Sequence, residues 1–357
     1  MCLILQRWLG ILRDKLGVWN SSMILKKILF RVDAGDQVGL GHYYRSLNLA
    51  LTLKERGHEI VFVHLPSAFW DNLKEFPFKH CVLSFESAEY EMVSICLKEK
   101  IDIFYADGII PFTSQFIHEV KKKAKVVFYQ NLSGSKHLAN VFILPSIHQD
   151  DVFWRAFDGS GTTIYRGLQY FTFNREIEKY TPKNFTLRSN LEKIAVIAGG
   201  SDPGNVLLTL YEMLDEELLQ KASFTFFYGN DYLHEEKIPV RLKKNTSFQQ
   251  YKIRKILSHD VLIAAFGVSA YEFMYLGMPV IGLGHQEANA DALKVVARKT
   301  GAIYDLGAID HIQKETFNKT ISSLLQDKDK LEDISQKAKQ LLDIRGVYRV
   351  ADILENL

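Results

Sequence analysis

The feature that most constrains this chain is a unit of apolar run, glycine loop, helical stretch and second apolar run, met first at Lys27 and again at Ile194. In the first copy, residues 28–32 are a short run, apolar but for Arg31, and residues 36–41 form a loop carrying Gly39 and Gly41. Tyr43, Leu47, Ala50 and Leu51 then fall on one helical face, and Gly57 stands where a helix C-cap is expected. Residues 60–63 read as the next strand. Strand, helix, strand in this order implies a parallel sheet, because parallel neighbours need a crossover. Further strands are predicted at 103–106, 126–129 and 141–144. The second series runs from a strand at 194–198 through a glycine loop at 199–204 to a helix at 206–219. Strands at 224–228, 261–265, 280–283 and 302–304 follow, and the chain reads as helical from Lys330 onward. Residues 149–189 show no clear period and read as a crossing.

The 357 residues exceed what one core usually supports, so two domains of roughly 150 residues each are expected. The predicted fold is α/β, with two Rossmann-like domains whose parallel sheets face a central cleft. Its expected parts are an extension at 1–22, a first domain at 23–150, a linker at 151–189, a second domain at 190–330 and terminal helices at 331–357.

Charge and cysteine content narrow the function. A net charge of +2 argues against nucleic acid, which calls for a concentrated basic face. The densest basic run, Lys121 to Lys123 with Lys125, follows Phe116 and Val120 at helical spacing and reads as a solvated helix end. Cys2, Cys81 and Cys96 are odd in number and lack C-x-x-C spacing. That excludes a disulfide framework and a zinc site and fits a reducing, cytoplasmic setting. Within residues 1–22, Leu5, Trp8, Leu9, Leu12 and Leu16 recur at helical spacing among Arg7, Arg13 and Lys15. A signal peptide would need a longer apolar core and a small-residue cleavage site. Two readings stay open: an amphipathic helix that touches a membrane or a partner, or an extension upstream of a start at Met23.

Open parallel sheets bind ligands beyond the carboxyl ends of their strands. One candidate there is Gly39-Leu40-Gly41-His42, with Arg45 one turn later. The glycines permit close backbone approach, and a helix start offers free N–H groups to an anion. The same dipole disfavours imidazolium, which suits His42 to general-base work, the alternative being a packed or capping histidine. A second candidate combines Gly199-Gly200-Ser201 with Gly267, Ser269 and Glu272. Both loops follow buried strands and open helices, so both are expected to hold phosphate on backbone amides. Glu272 is expected to accept hydrogen bonds from ribose hydroxyls; its alternative is a first-turn acid favoured by the dipole.

The segment Arg31-Val32-Asp33-Ala34, Gly39-Leu40-Gly41-His42, Arg45-Ser46-Leu47 and Leu49-Ala50 resembles the opening of the UDP-2,4-diacetamido-2,4,6-trideoxy-β-L-altropyranose hydrolases of pseudaminic acid synthesis, relatives of GT-B glycosyltransferases. The likeness continues through Gly167, Tyr170 and Glu176 to Gly199-Gly200-Ser201-Asp202-Pro203, Gly267, Ser269 and Glu272. It ends with Leu276-Gly277-Met278-Pro279, Gln286, Asn289, Asp343, Arg345-Gly346 and Arg349-Val350. The resemblance implies a GT-B-like fold and metal-free, cofactor-free hydrolysis of a UDP-sugar at its anomeric carbon. It gives His42 the general-base position, the glycine loops the pyrophosphate and Glu272 the ribose, with Asp33, Arg45, Asp107, His285, Gln286 and Asn289 also at the ligand. Three positions depart from the family: His285-Gln286 replaces Asn-Gln, Gln130-Asn131 replaces Asp-Asp, and Asp107-Gly108-Ile109 keeps only the acid. These bear on the sugar and on whether water or a hydroxyl attacks, so glycosyl transfer is the alternative activity and non-catalytic binding of a nucleotide sugar a third.

Overall fold

The computed structural model describes residues 24–35, 38–180, 187–188 and 190–357. The extension at 1–22 and both of its readings, Cys2, Met23, Asp36, Gln37 and part of the crossing lie outside the described residues.

Buried apolar strands build the first lobe. In chain order it contains β1 (Lys27–Val32), α1 (Gly41–Glu55), β2 (Glu59–His64), α2 (Ala68–Asn72), β3 (Lys79–Val82) and α3 (Ala88–Lys98), followed by β4 (Ile103–Asp107), α4 (Ser114–Lys121), β5 (Lys125–Tyr129), β6 (Val141–Leu144), α5 (Asp151–Arg155) and β7 (Thr163–Arg166). Its seven strands lie in the order β3-β2-β1-β4-β5-β6-β7, and every pairing is parallel.

The second lobe runs through β8 (Lys193–Ile197), α6 (Val206–Met213), α7 (Glu216–Lys221), β9 (Ser223–Tyr228), β10 (Thr246–Gln250), α8 (Ile253–Ile256) and β11 (Val261–Ala265). It continues through α9 (Val268–Tyr275), β12 (Val280–Gly284), α10 (Glu287–Thr300), β13 (Tyr304–Ala308), α11 (Lys314–Gln326) and α12 (Lys328–Leu341). The strand order is β10-β9-β8-β11-β12-β13, again parallel throughout. Each sheet reverses direction beside its first strand, between β1 and β4 and between β8 and β11. Such reversals open the crevice in which doubly wound folds bind ligands.

Apolar side chains cover both faces of each sheet. On one face of the first sheet, Phe30, Phe62 and Tyr105 meet Leu49 and Leu53 of α1. On the other, Leu29 and Phe104 meet Met92 of α3 and Phe116 of α4. The chain crosses between lobes twice. Leu168, Phe171, Phe173 and Ile177 already belong to the second lobe's core. A final helix, α13 (Gly346–Glu355), returns Val347, Val350, Ala351 and Leu354 to the first lobe's core. Arg56 is tied to Asp352 and Glu355, both at 2.7 Å, and His58 Nε2 lies 2.9 Å from Glu355.

Several elements differ from the sequence expectation, each for a local reason. Residues 163–166, inside the stretch read as an irregular crossing, pair with β6 as a seventh strand. The helix expected over 206–219 is two helices, because Asp215 caps a new one by accepting from Leu218 N at 2.8 Å. The helical terminus is interrupted at 342–345, where Asp343 accepts from Arg345 N and from both terminal nitrogens of Arg349. The last strand lies at 304–308 rather than 302–304. Among the described residues no helix is long and apolar enough to cross a membrane.

Candidate active site

The turn after β1 delivers His42 to the reversal of the first sheet. Gly39 takes φ +71°, a region that glycine enters without strain, and its N–H bonds back to Gly35 O at 2.7 Å. Helix α1 then begins at Gly41, so His42 is its second residue. The imidazole lies against the backbone at the end of β4: a Cβ built on Gly108 would be 3.5 Å from His42 Nδ1.

Beneath the imidazole is a buried ionic cluster. Arg45 Nε donates to Asp107 Oδ2 at 2.7 Å, Arg45 Nη2 donates to Asp107 Oδ1, and Ser46 Oγ donates to Asp107 Oδ2 at 2.8 Å. Arg45 Nη1 donates to Gln130 Oε1 at 2.5 Å. Burial alone would raise the Asp107 carboxyl, but the charge and hydrogen bonds of Arg45 outweigh it and hold it below the ordinary value. Burial would likewise lower Arg45, and Asp107 reverses that too. The sequence reading puts Arg45 and Asp107 at the ligand. In the structure both are 2% exposed or less and bond to each other, to His42, to Ser46 and to Gln130. They support the histidine from inside.

His42 Nδ1 faces two neighbours, Asp107 Oδ1 at 3.2 Å and Arg45 Nη2 at 2.6 Å. A guanidinium only donates and an ionised carboxylate only accepts. The arginine contact therefore needs a bare Nδ1, and the aspartate contact needs Nδ1–H. The second tautomer leaves a lone pair on Nε2, where a general base requires it.

Across the cleft, the second lobe contributes two loops. A Cβ on Gly41 would lie 3.2 Å from Val268 Cγ2, and one on Gly200 would lie 4.0 Å from Leu40 Cδ1, so the glycine turn of one lobe meets both loops of the other. The loops differ in kind. Helix α9 starts after Gly267 with no side-chain cap, and its first hydrogen bond is made by Tyr271 N. Its leading amides have no acceptor among the described residues and suit an anion. At α6 the first amides are taken, since Asp202 accepts from Val206 N at 2.8 Å and from Leu207 N at 2.9 Å. Those two amides are therefore not open to a phosphate. What remains open there is the loop backbone itself, with Gly199 at φ +88°, Gly200 packed against Gly229, and Ser201 buried.

Glu272 lies in the second turn of α9, not the first, and is 5% exposed. Burial raises its carboxyl to about 7, opposed by the Asn174 N–H, which donates to Oε1 at 3.4 Å. Ser269, in the first turn of the same helix, is half-buried, as is Tyr251. His285, Gln286 and Asn289 follow β12, one strand further along the same sheet edge. His285 is half-buried, and burial lowers its imidazole. Gln286 is exposed and precedes α10. Asp33 stands apart from this cleft cluster, bonded to Arg31 Nη1 and accepting from Leu65 N at 2.8 Å.

Sequence reasoning passed over Asn174, whose amide reaches Glu272, and did not foresee that Ser46 and Gln130 hold Asp107 and Arg45. It gave Arg31 no role of its own, although a charged residue in the apolar run Ile28-Leu29-Phe30-Arg31-Val32 is a visible anomaly.

Two Rossmann-like lobes facing each other, with the last helix returned to the first, define the GT-B architecture. The MurG crystal structure from Acinetobacter baumannii has it, at a TM-score of 0.65 and 13% identity over 93% of this chain and 100% of that one. A Staphylococcus aureus MnaA–UDP structure matches at 0.62 and 10% identity, over 93% and 96%. By sequence, the chain is 24% identical to the spore coat polysaccharide biosynthesis protein SpsG of Bacillus subtilis strain 168 over 339 residues, 91% of this chain and 96% of the relative. No family model matches the chain.

Proposed function

We propose that the protein removes UDP from a UDP-activated amino- or deoxy-sugar by attack of an oxygen nucleophile at the anomeric carbon, in the building of a surface glycan. The observation that carries this reading is the meeting of the His42 turn with the free N-terminus of α9 across the cleft, through Gly41 and Val268. The similarity to SpsG of Bacillus subtilis, a spore coat polysaccharide biosynthesis protein, and the UDP in the MnaA structure support the substrate class.

In this reading the amides of α9 and the Gly199-Gly200-Ser201 backbone hold the pyrophosphate. Glu272 takes the ribose hydroxyls. His42, with Nδ1–H turned to Asp107, accepts the nucleophile's proton on Nε2 while the nucleophile's oxygen bonds to C1 and the bond from C1 to the β-phosphate oxygen breaks, its electron pair leaving with UDP. Arg45 keeps Asp107 ionised. The chemistry is mostly positioning and stabilisation of the departing diphosphate.

Water is the nucleophile that the resemblance implies. Transfer to a sugar hydroxyl is the second reading, favoured by Gly108-Ile109, Gln130-Asn131 and His285, which stand where the resembled family has other residues. The discriminating experiment incubates the protein with a panel of UDP-sugars and follows UDP by phosphorus NMR. Release with water alone supports hydrolysis, release only with an acceptor supports transfer, and release in neither case rejects catalysis on these donors.

A further inference from the structure

Strand β5 ends in a turn that its residue type does not explain. Gln130, the first residue after the strand, has φ +51°, in the left-handed region that Asn and Gly enter more readily than a longer side chain. Its N–H donates to Ile143 O at 2.8 Å, which holds the turn against β6. The side chain is half-buried, and its Oε1 accepts from Arg45 Nη1 at 2.5 Å. Asparagine would suit that backbone better but is one methylene shorter. The extra length is what brings the amide to the guanidinium.

That guanidinium is a rigid planar fork with N–H donors on every side. Asp107 takes one side, through Nε at 2.7 Å and through Nη2. Gln130 takes Nη1, and the centre of the Tyr129 ring lies 5.0 Å from the guanidinium carbon. Held at both ends, the fork keeps Nη2 2.6 Å from His42 Nδ1. Asp107 Oδ1, the competing partner of that nitrogen, is at 3.2 Å. The closer contact sets the tautomer. Nδ1 accepts from the arginine, the proton sits on Nε2, and Nε2 then donates but does not accept.

We infer that Gln130 is a positioning residue that holds His42, through Arg45, in the tautomer that is not a base. The inference rests on the general-base reading of His42 and adds how that base is restrained. Freed from Gln130, the guanidinium tilts about its paired bonds to Asp107 and draws Nη2 away from Nδ1. Asp107 Oδ1 then becomes the nearer partner. Nε2 gives its proton to water while Nδ1 takes one up, so the charge of the cluster is unchanged. Nε2 gains the lone pair that general-base catalysis requires.

The test reads the tautomer directly, in the full chain without ligand. In alkaline buffer, where imidazoles are neutral, nitrogen NMR of the histidine-labelled protein separates the ring nitrogen that carries the proton from the one that does not. The signals of His42 are those missing from His42→Asn. Wild type should show mainly the Nε2–H form. Gln130→Met has the same reach without an amide oxygen, and Gln130→Asn suits the backbone but falls short of Arg45. Each should raise the ratio of Nδ1–H to Nε2–H by about three- to tenfold, the worth of one ordinary hydrogen bond. Gln130→Glu keeps an acceptor at the same reach and should retain the wild-type ratio. A role confined to the turn would instead make Gln130→Asn harmless to the tautomer. Mainly Nδ1–H in wild type, or one ratio across wild type and variants, would overturn the inference. UDP release from UDP-sugars by the same proteins tests the reading beneath it. Turnover that follows the Nδ1–H fraction, at unchanged UDP affinity, supports both. A tautomer shift with no UDP release from any of the proteins supports the positioning role and rejects the nucleotide-sugar reading.

Discussion

His42 Nδ1 lies between a donor and an acceptor that require opposite tautomers. Catalysis as a base needs the one that points Nδ1–H at Asp107, so His42→Asn should lower turnover by about 10²–10⁴-fold. UDP affinity by calorimetry should change little, because the groups assigned to UDP belong to the other lobe. Near-wild-type turnover in that variant would refute the general-base role. Glu272 makes a separate, pH-dependent prediction. Its carboxyl is raised to about 7 by burial, so the stability tied to its neutral form is complete below about 4.5 and lost as pH rises through 7. Ribose hydroxyls donating to it would favour the ionised form. UDP affinity should therefore fall as pH drops below 7, by up to about tenfold per unit. Glu272→Gln should remove that component while leaving the part due to titration of the UDP phosphate. Coincident wild-type and variant profiles between pH 6 and 8 would sink the ribose assignment.

At the scale of elements, the two glycine loops of the second lobe are not equivalent. Helix α9 presents its amides, whereas α6 gives its own to Asp202. The Gly200 loop can then act only through its backbone, held by Gly229: a Cβ there would come within 2.2 Å of Gly200 O. Gly229→Ala should cost about 1–3 kcal/mol of stability in urea unfolding and should also weaken UDP binding. A loss of stability with unchanged UDP affinity would remove the Gly200 loop from the nucleotide site. The same contrast shows what could be read in advance. Strands such as β1, β4 and β11 are buried on both faces and announce themselves as apolar runs. Strands β3, β7 and β10 lie at sheet edges, and Lys79-His80-Cys81-Val82 and Thr246-Ser247-Phe248-Gln249-Gln250 carry no such run. The glycine turns were legible because Gly39 and Gly199 need positive φ. The Arg45–Asp107 support was not, because it joins residues 62 apart whose meeting depends on β1 pairing with β4.

For the whole molecule, the geometry between the lobes is governed where they meet. Helix α13 completes the first lobe's core, while α12 is pinned to the second by Ser335 Oγ donating to Gly277 O at 2.5 Å. The lobes are thus joined by two crossings at one side of the cleft. At the cleft itself, the Gly41 and Val268 contact sets how near His42 comes to the start of α9. A methyl group on Gly41 would stand 3.2 Å from Val268 Cγ2, tighter than ordinary packing, so the Val268 side chain or one of the two helices must give by a few tenths of an ångström. Glycine at this first helical position has no positive φ to satisfy, so the close approach is the reason for it. Gly41→Ala should therefore lower turnover about tenfold or more, since small misplacements of a catalytic group are expensive, with a smaller effect on UDP affinity. If spacing is the cause, Val268→Ala should restore turnover in the Gly41→Ala background while doing little alone, a coupling that a double-mutant cycle measures. Additive losses in the double variant would mean that Gly41 matters for the turn within its own lobe, and that the lobes do not set the distance between base and nucleotide through this contact.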